Sequence, residues 1–238
     1  MYQQDVTITK NTQLNQDFYH LAFASQEMAA QISCGQFVFI RVSDSYMPLL
    51  RRPFSVAWVN GGTVNIVYKA VGQGTRILAA KRKGESLNVM GPLGNGFTFH
   101  PDRKILLVAG GIGIASLVSL TKMCVQKNAR LFYGARTEKE FISESFLHLP
   151  PQNIMYATED GSRGRKGYVT DVLKDYLDHH REENSFIYTC GPLAMLRAVV
   201  PLARSRGLEG EANLEERMGC GVGACLGCAT ETAGGIKM

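Results

Sequence analysis

No stretch of this 238-residue chain approaches the ~20 consecutive apolar residues that a bilayer-spanning helix needs. The opening "MYQQDVTITKNTQL" is polar and alternating and lacks the apolar core of a secretory leader. The chain is therefore expected to be soluble and cytoplasmic, with no membrane partner. A dominant charge sign is also missing. There are 26 Lys and Arg against 21 Asp and Glu, a net +5. The basic residues are scattered, as in "KRK" (81–83) and "RGRK" (163–166). Scattered cations read as solvated turns, so no nucleic-acid partner is expected. There is no internal repeat and no low-complexity tract, which excludes solenoids and disordered linkers. Histidine is scarce, at five residues.

Hydrophobic residues make up 45% and charged residues 20%, enough apolar material for a globular core. Over residues 1–100, short apolar or alternating runs recur: "DVTITKNTQL", "FYHLAFA", "QFVFIRV", "FSVAWV", "TVNIVYKAV" and "SLNVMGPLG". Turn signals separate them, and the spacing predicts an antiparallel β-barrel with one helix near 74–82. From 101 the pattern changes. "ILLVAGG" (105–111) is a continuous apolar strand, followed by "RLFYGAR" (130–136), "NIMYATE" (153–159) and "SFIYTCG" (185–191). Helical stretches are predicted between them at about 114–127, 138–147, 169–180 and 193–206. Strands alternating with helices give a parallel sheet. From about 207 the chain turns Gly- and Cys-rich and loses both periods. The predicted domains are thus 1–100, 101–207 and 208–238.

Six cysteines are present, and three of them, Cys220, Cys225 and Cys228, fall within nine residues. A disulfide framework does not suit a cytosolic chain of this size. The Cys-x4-Cys-x2-Cys spacing is that of plant-type 2Fe–2S ligands. A structural zinc site usually shows two separated Cys or His pairs, and here there is neither a second Cys pair nor a His within or after the cluster. Zinc and loose redox thiols remain the alternatives. No cysteine follows Cys228, so the fourth ligand is expected either beyond Met238 or from another residue type.

Two further segments point to anionic cofactors. Arg51-Arg52-Pro53-Phe54-Ser55 sits at a strand entry, and Gly74-Thr75 opens the helix after "VYKAVGQGT". Arg52 can meet a phosphate by charge-assisted bonds, and a helix start offers backbone amides. Each is also a common strand entry or helix cap when taken alone. In "LLVAGGIGIASL" (106–117), Gly110, Gly111 and Gly113 allow close approach to a pyrophosphate at a helix start. The Gly-x-Gly-x-x-Gly fingerprint is absent, and no acidic residue ends the next strand, which finishes Gly134-Ala135-Arg136. Arg136 reads equally as a 2′-phosphate ligand or a surface cation. Cys190-Gly191-Pro192 closes a strand at its carboxyl end, where ligands bind in such sheets; a buried small hydrophobe is the plainer reading of Cys190.

The Arg-x-(Tyr/Phe)-Ser strand paired with a Gly-Thr helix start resembles the flavin domain of the ferredoxin–NADP reductase superfamily. "AGGIGIA" resembles its Gly-Gly-x-Gly loop, with Ser116 where proline is usual. With "VMGPLGNGF" (89–97), "GARTEKEF" (134–141), "TEDGSRGRKGYVTDVL" (158–173), "CGPLAML" and "ERMGCGVGACLGCA" (216–229), the chain closely resembles the electron-transfer subunits of NAD-dependent (type B) dihydroorotate dehydrogenase. That resemblance implies FAD on Arg52, Pro53, Phe54, Ser55, Val67, Tyr68, Lys69, Gly74 and Thr75. It implies NAD near Gly110, Gly111, Gly113, Cys190, Gly191 and Pro192, and a 2Fe–2S cluster on Cys220, Cys225 and Cys228. It also implies a heterotetramer with an FMN-containing dehydrogenase of pyrimidine biosynthesis, and a fourth cluster cysteine about a dozen residues past the third. No residue is expected to act as a catalytic acid or base. Related subunits of sulfhydrogenases and electron-bifurcating transhydrogenases share the layout, and a zinc-binding regulatory module is the rival of a different class.

Overall fold

The computed structural model describes residues 1–124, 129–232 and 235–237. The chain divides into two compact units. One comprises Met1–Gln13, Asp17–Gly96 and Glu216–Met238; the other comprises Leu14–Gln16 and Phe97–Glu215.

The first unit is built on seven strands: β1 (Tyr2–Gln13), β2 (Phe18–Ala24), β3 (Phe37–Arg41), β4 (Arg52–Ser55), β5 (Trp58–Asn60), β6 (Thr63–Lys69) and β7 (Ser86–Leu93). They pair antiparallel in the order β4-β3-β7-β1-β2-β6-β5. The expected barrel is thus a curled sheet. Alternation decides which face is buried: Val6 and Ile8, Leu21 and Phe23, Val38 and Ile40, Val64 and Ile66, and Leu87 and Val89 all enter one core. Each such side chain contributes about 1.5–3 kcal/mol on burial. Helix α1 (Gln26–Gln31) starts on a Ser25 cap and buries Met28 in that core. The predicted helix near 74–82 is α2 (Gln73–Ala80), which buries Leu78.

The second unit carries six parallel strands: β8 (Lys104–Gly110), β9 (Arg130–Ala135), β10 (Ile154–Thr158), β11 (Arg165–Lys166), β12 (Ser185–Cys190) and β13 (Glu209–Asn213). Their order is β11-β10-β9-β8-β12-β13. All six residues of β12 are buried, as a strand covered on both faces requires. Among the described residues, three α-helices complete the unit: α3 (Ile114–Met123), α4 (Val169–His179) and α5 (Leu193–Ser205). In α4 the residues Val169, Leu173, Tyr176 and Leu177 line one face and enter the core, the spacing of an amphipathic helix.

Three differences from the sequence reading stand out. The helix expected over 114–127 ends at Met123, and positions 125–127 of that expectation lie outside the described residues. The helix expected over 138–147 is two short 3-10 turns, Glu138–Glu140 and Glu144–Phe146. Phe141 between them is extended because its ring packs edge-on between Tyr133 and Tyr156, 4.6 and 4.8 Å away. Finally, β13 lies in the stretch read as irregular after 207, and it pairs in register with β12. Strands β14 (Thr230–Thr232) and β15 (Gly235–Lys237) then form a small antiparallel pair.

Candidate functional site

In the first unit, β4 and the start of α2 converge. Arg52 and Arg51 are adjacent in sequence but differ in employment. Arg51 donates to the backbone and side-chain oxygens of Asn88, and Asn88 in turn donates to Asp5 at 2.7 Å. Arg51 is therefore bound into the sheet. Arg52 donates to the Leu50 carbonyl and lies against Gly74 in the first turn of α2. A Cβ at Gly74 would sit 2.8 Å from the Arg52 Nε, so only glycine leaves the guanidinium its place. The Thr75 hydroxyl accepts from the amides of Val71 and Gly72, both at 3.0 Å, and donates to the Gly72 carbonyl at 3.1 Å. That exhausts its one donor and two acceptor positions. Thr75 thus shapes the helix start and has only its backbone amide to offer an anion. A guanidinium beside unpaired first-turn amides is a cradle suited to a pyrophosphate.

The other residues expected at the flavin fall into two groups. Ser55 and Pro53 are half-buried on β4, and the Ser55 hydroxyl has no hydrogen-bond partner among the described residues, so it remains available. Phe54 and Tyr68 are core residues whose rings meet edge to face at 5.5 Å. The Tyr68 hydroxyl donates to Asn11 at 3.1 Å, and burial raises its pKa, holding it neutral. Val67 is buried on β6, and the Lys69 ammonium stands 5.5 Å over the Phe18 ring. At Phe54 and Tyr68 the side chains serve the core, leaving backbone contacts for a cofactor.

The cysteine loop belongs to the same unit. The Cys220 sulfur accepts backbone N–H groups of Val222 and Cys225, each at 3.4 Å. These donors, Cys225 first, bring the thiol down to about 6, favouring the thiolate that metals bind. Gly219 and Gly227 lie so close to the Cys225 sulfur that a Cβ on either would stand 3.4 and 3.5 Å away. Gly221, at φ +72°, packs the loop onto Phe39 and Leu93 of the sheet. Cys225 is exposed and its two companions are half-exposed. Amides aimed at sulfur on a glycine-rich wrap suit an iron–sulfur cluster. Among the described residues no three Cys, His, Asp or Glu side chains converge on one ion position.

In the second unit, the carboxyl ends of the parallel strands gather the remaining residues. Gly110 on β8 stands opposite Gly134 on β9, and Cys190 on β12 opposite Ala109. Gly113 is forced by packing: a Cβ there would meet the Cys190 carbonyl oxygen at 2.4 Å and the Gly191 nitrogen at 2.7 Å. Gly110 and Gly191 similarly pack against Met195. Gly111 differs. Its φ is +53° and nothing lies within 4 Å of where its Cβ would be, so its face is open to a ligand. Ser116 is buried and donates to the Gly113 carbonyl at 3.0 Å, closing the helix start where proline is usual. Pro192 caps α5.

The Cys190 thiol is fully buried and donates to Glu215 at 3.8 Å. Burial, and next the neighbouring carboxylate, push its pKa up, so it is a neutral thiol and not a nucleophile. The Glu215 carboxyl is also raised, chiefly by its crowded surroundings, although the residue keeps an exposed surface. Sequence reasoning missed Glu215, which immediately precedes the cysteine-loop segment and matches no motif of its own. Arg136, left undecided above, is held by Glu140. Among the described residues no helix is long and apolar enough to cross a membrane.

Comparison with known proteins identifies the family. Residues 107–200 match the oxidoreductase NAD-binding domain, and residues 215–238 match the iron–sulfur cluster binding domain of dihydroorotate dehydrogenase B. The chain is 37% identical over 218 residues to the electron transfer subunit of dihydroorotate dehydrogenase B (NAD(+)) of Desulforamulus reducens, covering 90% of this chain and 82% of that one. The corresponding subunit of Bacillus cereus is 38% identical over 236 residues, with 96% and 88% covered. Among solved structures, the NADH-dependent reduced ferredoxin-NADP oxidoreductase superposes with a TM-score of 0.82 at 29% identity, covering 98% of this chain and 84% of that one. The ferredoxin reductase of carbazole 1,9a-dioxygenase, at 22% identity and a TM-score of 0.75 over 90% and 70% of the two chains, shares the fold. By sequence and architecture together, this chain belongs to the electron transfer subunits of dihydroorotate dehydrogenase B (NAD(+)).

Proposed function

We propose that the chain passes electrons between a partner dehydrogenase and NAD through FAD and a 2Fe–2S cluster, with the residue roles as follows. Arg52 and the first-turn amides at Gly74 and Thr75 hold the FAD pyrophosphate. Pro53, Phe54 and Ser55 present the β4 edge to the flavin, with Ser55 supplying a free hydroxyl, and Val67, Tyr68 and Lys69 supply the neighbouring strand. Gly110, Gly111 and Gly113 receive the nicotinamide nucleotide, beside Cys190, Gly191 and Pro192. Cys220, Cys225 and Cys228 ligate the cluster. When bound, FAD would supply hydride exchange with nicotinamide and the cluster would supply one-electron transfer, which is the cofactors' own chemistry. What the chain supplies is placement, charge and exclusion of water, so it needs no catalytic acid or base of its own.

Function is assigned accordingly to residues 1–100 as the flavin domain, 101–207 as the nucleotide domain, and 208–238 as the cluster segment, except that β13 (Glu209–Asn213) within that last range extends the nucleotide sheet. The partner is the catalytic dihydroorotate-oxidising subunit, in a heteromeric and, we infer, heterotetrameric cytoplasmic complex. The exposed Val222 and Leu226 of the cysteine loop support a partner-facing surface at that loop. A sulfhydrogenase or transhydrogenase role is not favoured, because the cysteine segment matches the dihydroorotate dehydrogenase B domain.

The observation that carries this reading is the cysteine loop, with backbone amides already aimed at the Cys220 sulfur. The purified protein is expected to be yellow-brown, with FAD, iron and acid-labile sulfide. In Cys225→Ser the cluster is lost and partner reduction stops, while FAD-mediated oxidation of NADH by artificial acceptors persists. Undiminished electron flow to the partner in that variant would sink the assigned route.

A further inference from the structure

Sequence alone leaves the nucleotide site without the acidic residue that usually ends the second strand and accepts a hydrogen bond from the ribose of NAD. The structure returns one by another route. Strand β9 ends at Ala135, and Gly134 is the register partner of Gly110 at the glycine loop, one inter-strand spacing of about 4.8 Å away. Past Arg136 the chain makes a 3-10 turn over Glu138–Glu140. That turn folds Glu140 back onto the strand end. Its carboxylate accepts from Arg136 Nη2 at 2.5 Å, from Nε at 3.2 Å and from the Arg136 backbone N–H at 3.3 Å.

The backbone at this point is pinned as well. The Glu159 amide donates to the Ala135 carbonyl and the Asp160 amide to the Arg136 carbonyl, both at 3.2 Å. The Glu140 side chain is only 15% exposed, while that of Arg136 is 68% exposed. A seated carboxylate is therefore overlaid by a guanidinium that would otherwise suit a 2′-phosphate.

The geometry points to Glu140 as the residue that selects NAD over NADP, by accepting from the ribose 2′-hydroxyl and by occupying Arg136 against a 2′-phosphate. This rests on the reading that Gly110, Gly111 and Gly113 hold the nicotinamide nucleotide. A ribose diol donates to a carboxylate at little cost. A 2′-phosphate brings up to two negative charges to the same carboxylate and finds its natural cation already neutralised. Loss of the Glu140 charge releases Arg136, whose planar fork suits phosphate.

The test uses the FAD-loaded protein with NADH and NADPH as donors and ferricyanide as acceptor. Titration calorimetry with AMP and with adenosine 2′,5′-bisphosphate gives a second readout independent of the flavin. Wild type should favour NADH and bind AMP over the bisphosphate. Glu140→Gln should raise kcat/KM for NADPH by about ten-fold or more, the worth of one charge-assisted hydrogen bond, lower that for NADH a few-fold, and gain bisphosphate binding. Adding Arg136→Gln should erase the NADPH gain, and Glu140→Asp, which keeps the charge, should retain the NADH preference. If Glu140→Gln lowers both donors in parallel, or leaves their ratio unchanged, Glu140 is only a clamp on the turn and the inference is overturned. A wild-type protein that neither oxidises NADH nor binds AMP overturns the nucleotide reading itself, and this inference with it.

Discussion

Replacing Gly113 by alanine isolates a steric effect with nothing else mixed in. Gly113 has φ −56° and ψ −19°, an ordinary helical conformation that alanine adopts without penalty. On propensity alone the change would stabilise the start of α3. The added methyl, however, would lie 2.4 Å from the Cys190 carbonyl oxygen, 2.6 Å from its carbonyl carbon and 2.7 Å from the Gly191 nitrogen. All three are backbone atoms of β12 and its exit, so no side chain can swing away. Relief requires α3 and β12 to part by about 1 Å, because carbon contacts relax only near 3.5–4.0 Å. We expect a cost of about 3 kcal/mol, the upper end of the overpacking range. Gly111→Ala provides the contrast. No atom lies within 4 Å of its Cβ position, but φ is +53°, so the expected cost is about 1–2 kcal/mol of left-handed backbone. Its methyl would stand in the open space assigned to the pyrophosphate, so KM for NADH should rise in a protein that still folds. The single tryptophan of the chain, Trp58, lies in the other unit. Its fluorescence is the internal control, and amide hydrogen exchange along β12 is the readout, with protection falling about a hundred-fold for 3 kcal/mol. Wild-type protection in Gly113→Ala would refute the steric argument.

Three other outcomes are expected. Arg52→Gln should lower the FAD content of the purified protein, whereas Arg51→Gln should retain FAD and cost about 1 kcal/mol in denaturant unfolding, because the bonds of Arg51 go to Asn88. Buried Glu182 accepts from Lys104 at 2.6 Å and Ser185 at 2.8 Å, and Glu182→Ala should cost about 2–3 kcal/mol by orphaning these donors. Desolvation raises the Glu182 carboxyl, but the bonds from Lys104, Tyr176 and Ser185 outweigh it and the net shift is downward. A folded-state pKa below the unfolded value, about 4.3, gives stability that is complete above that value and lost as pH falls through the folded one. The urea midpoint of the wild type should therefore decline below about pH 4 by an increment that Glu182→Ala lacks.

What the sequence discloses and what it withholds divide along a physical line. Strand and helix placement follows from short-range periodicity, and β8, β12, α4 and α5 lie within two residues of their expected limits. The Cys220–Cys228 spacing is equally local, since cluster chemistry fixes it within one loop. Failures occur where a distant partner sets the local conformation. The stretch 138–147 has helical composition, yet the rings of Tyr133 and Tyr156 hold Phe141 extended between two short turns. β13 has a Gly- and Glu-rich sequence, and what makes it a strand is the ladder offered by β12. The same holds for side-chain employment. Nothing in "RRPFS" tells Arg51 from Arg52 until Asn88 claims one of them, and nothing in "GT" shows that the Thr75 hydroxyl is consumed by its own helix cap. Glu140 is the sharpest instance. An acid five residues beyond a strand matches no fingerprint, because recognition of a ribose depends on where the carboxylate sits and not on how many residues of chain it took to arrive. A motif records one route to a site; in the role proposed for Glu140, the 3-10 turn at Glu138–Glu140 is another route to the same chemistry, set by tertiary structure and not by spacing.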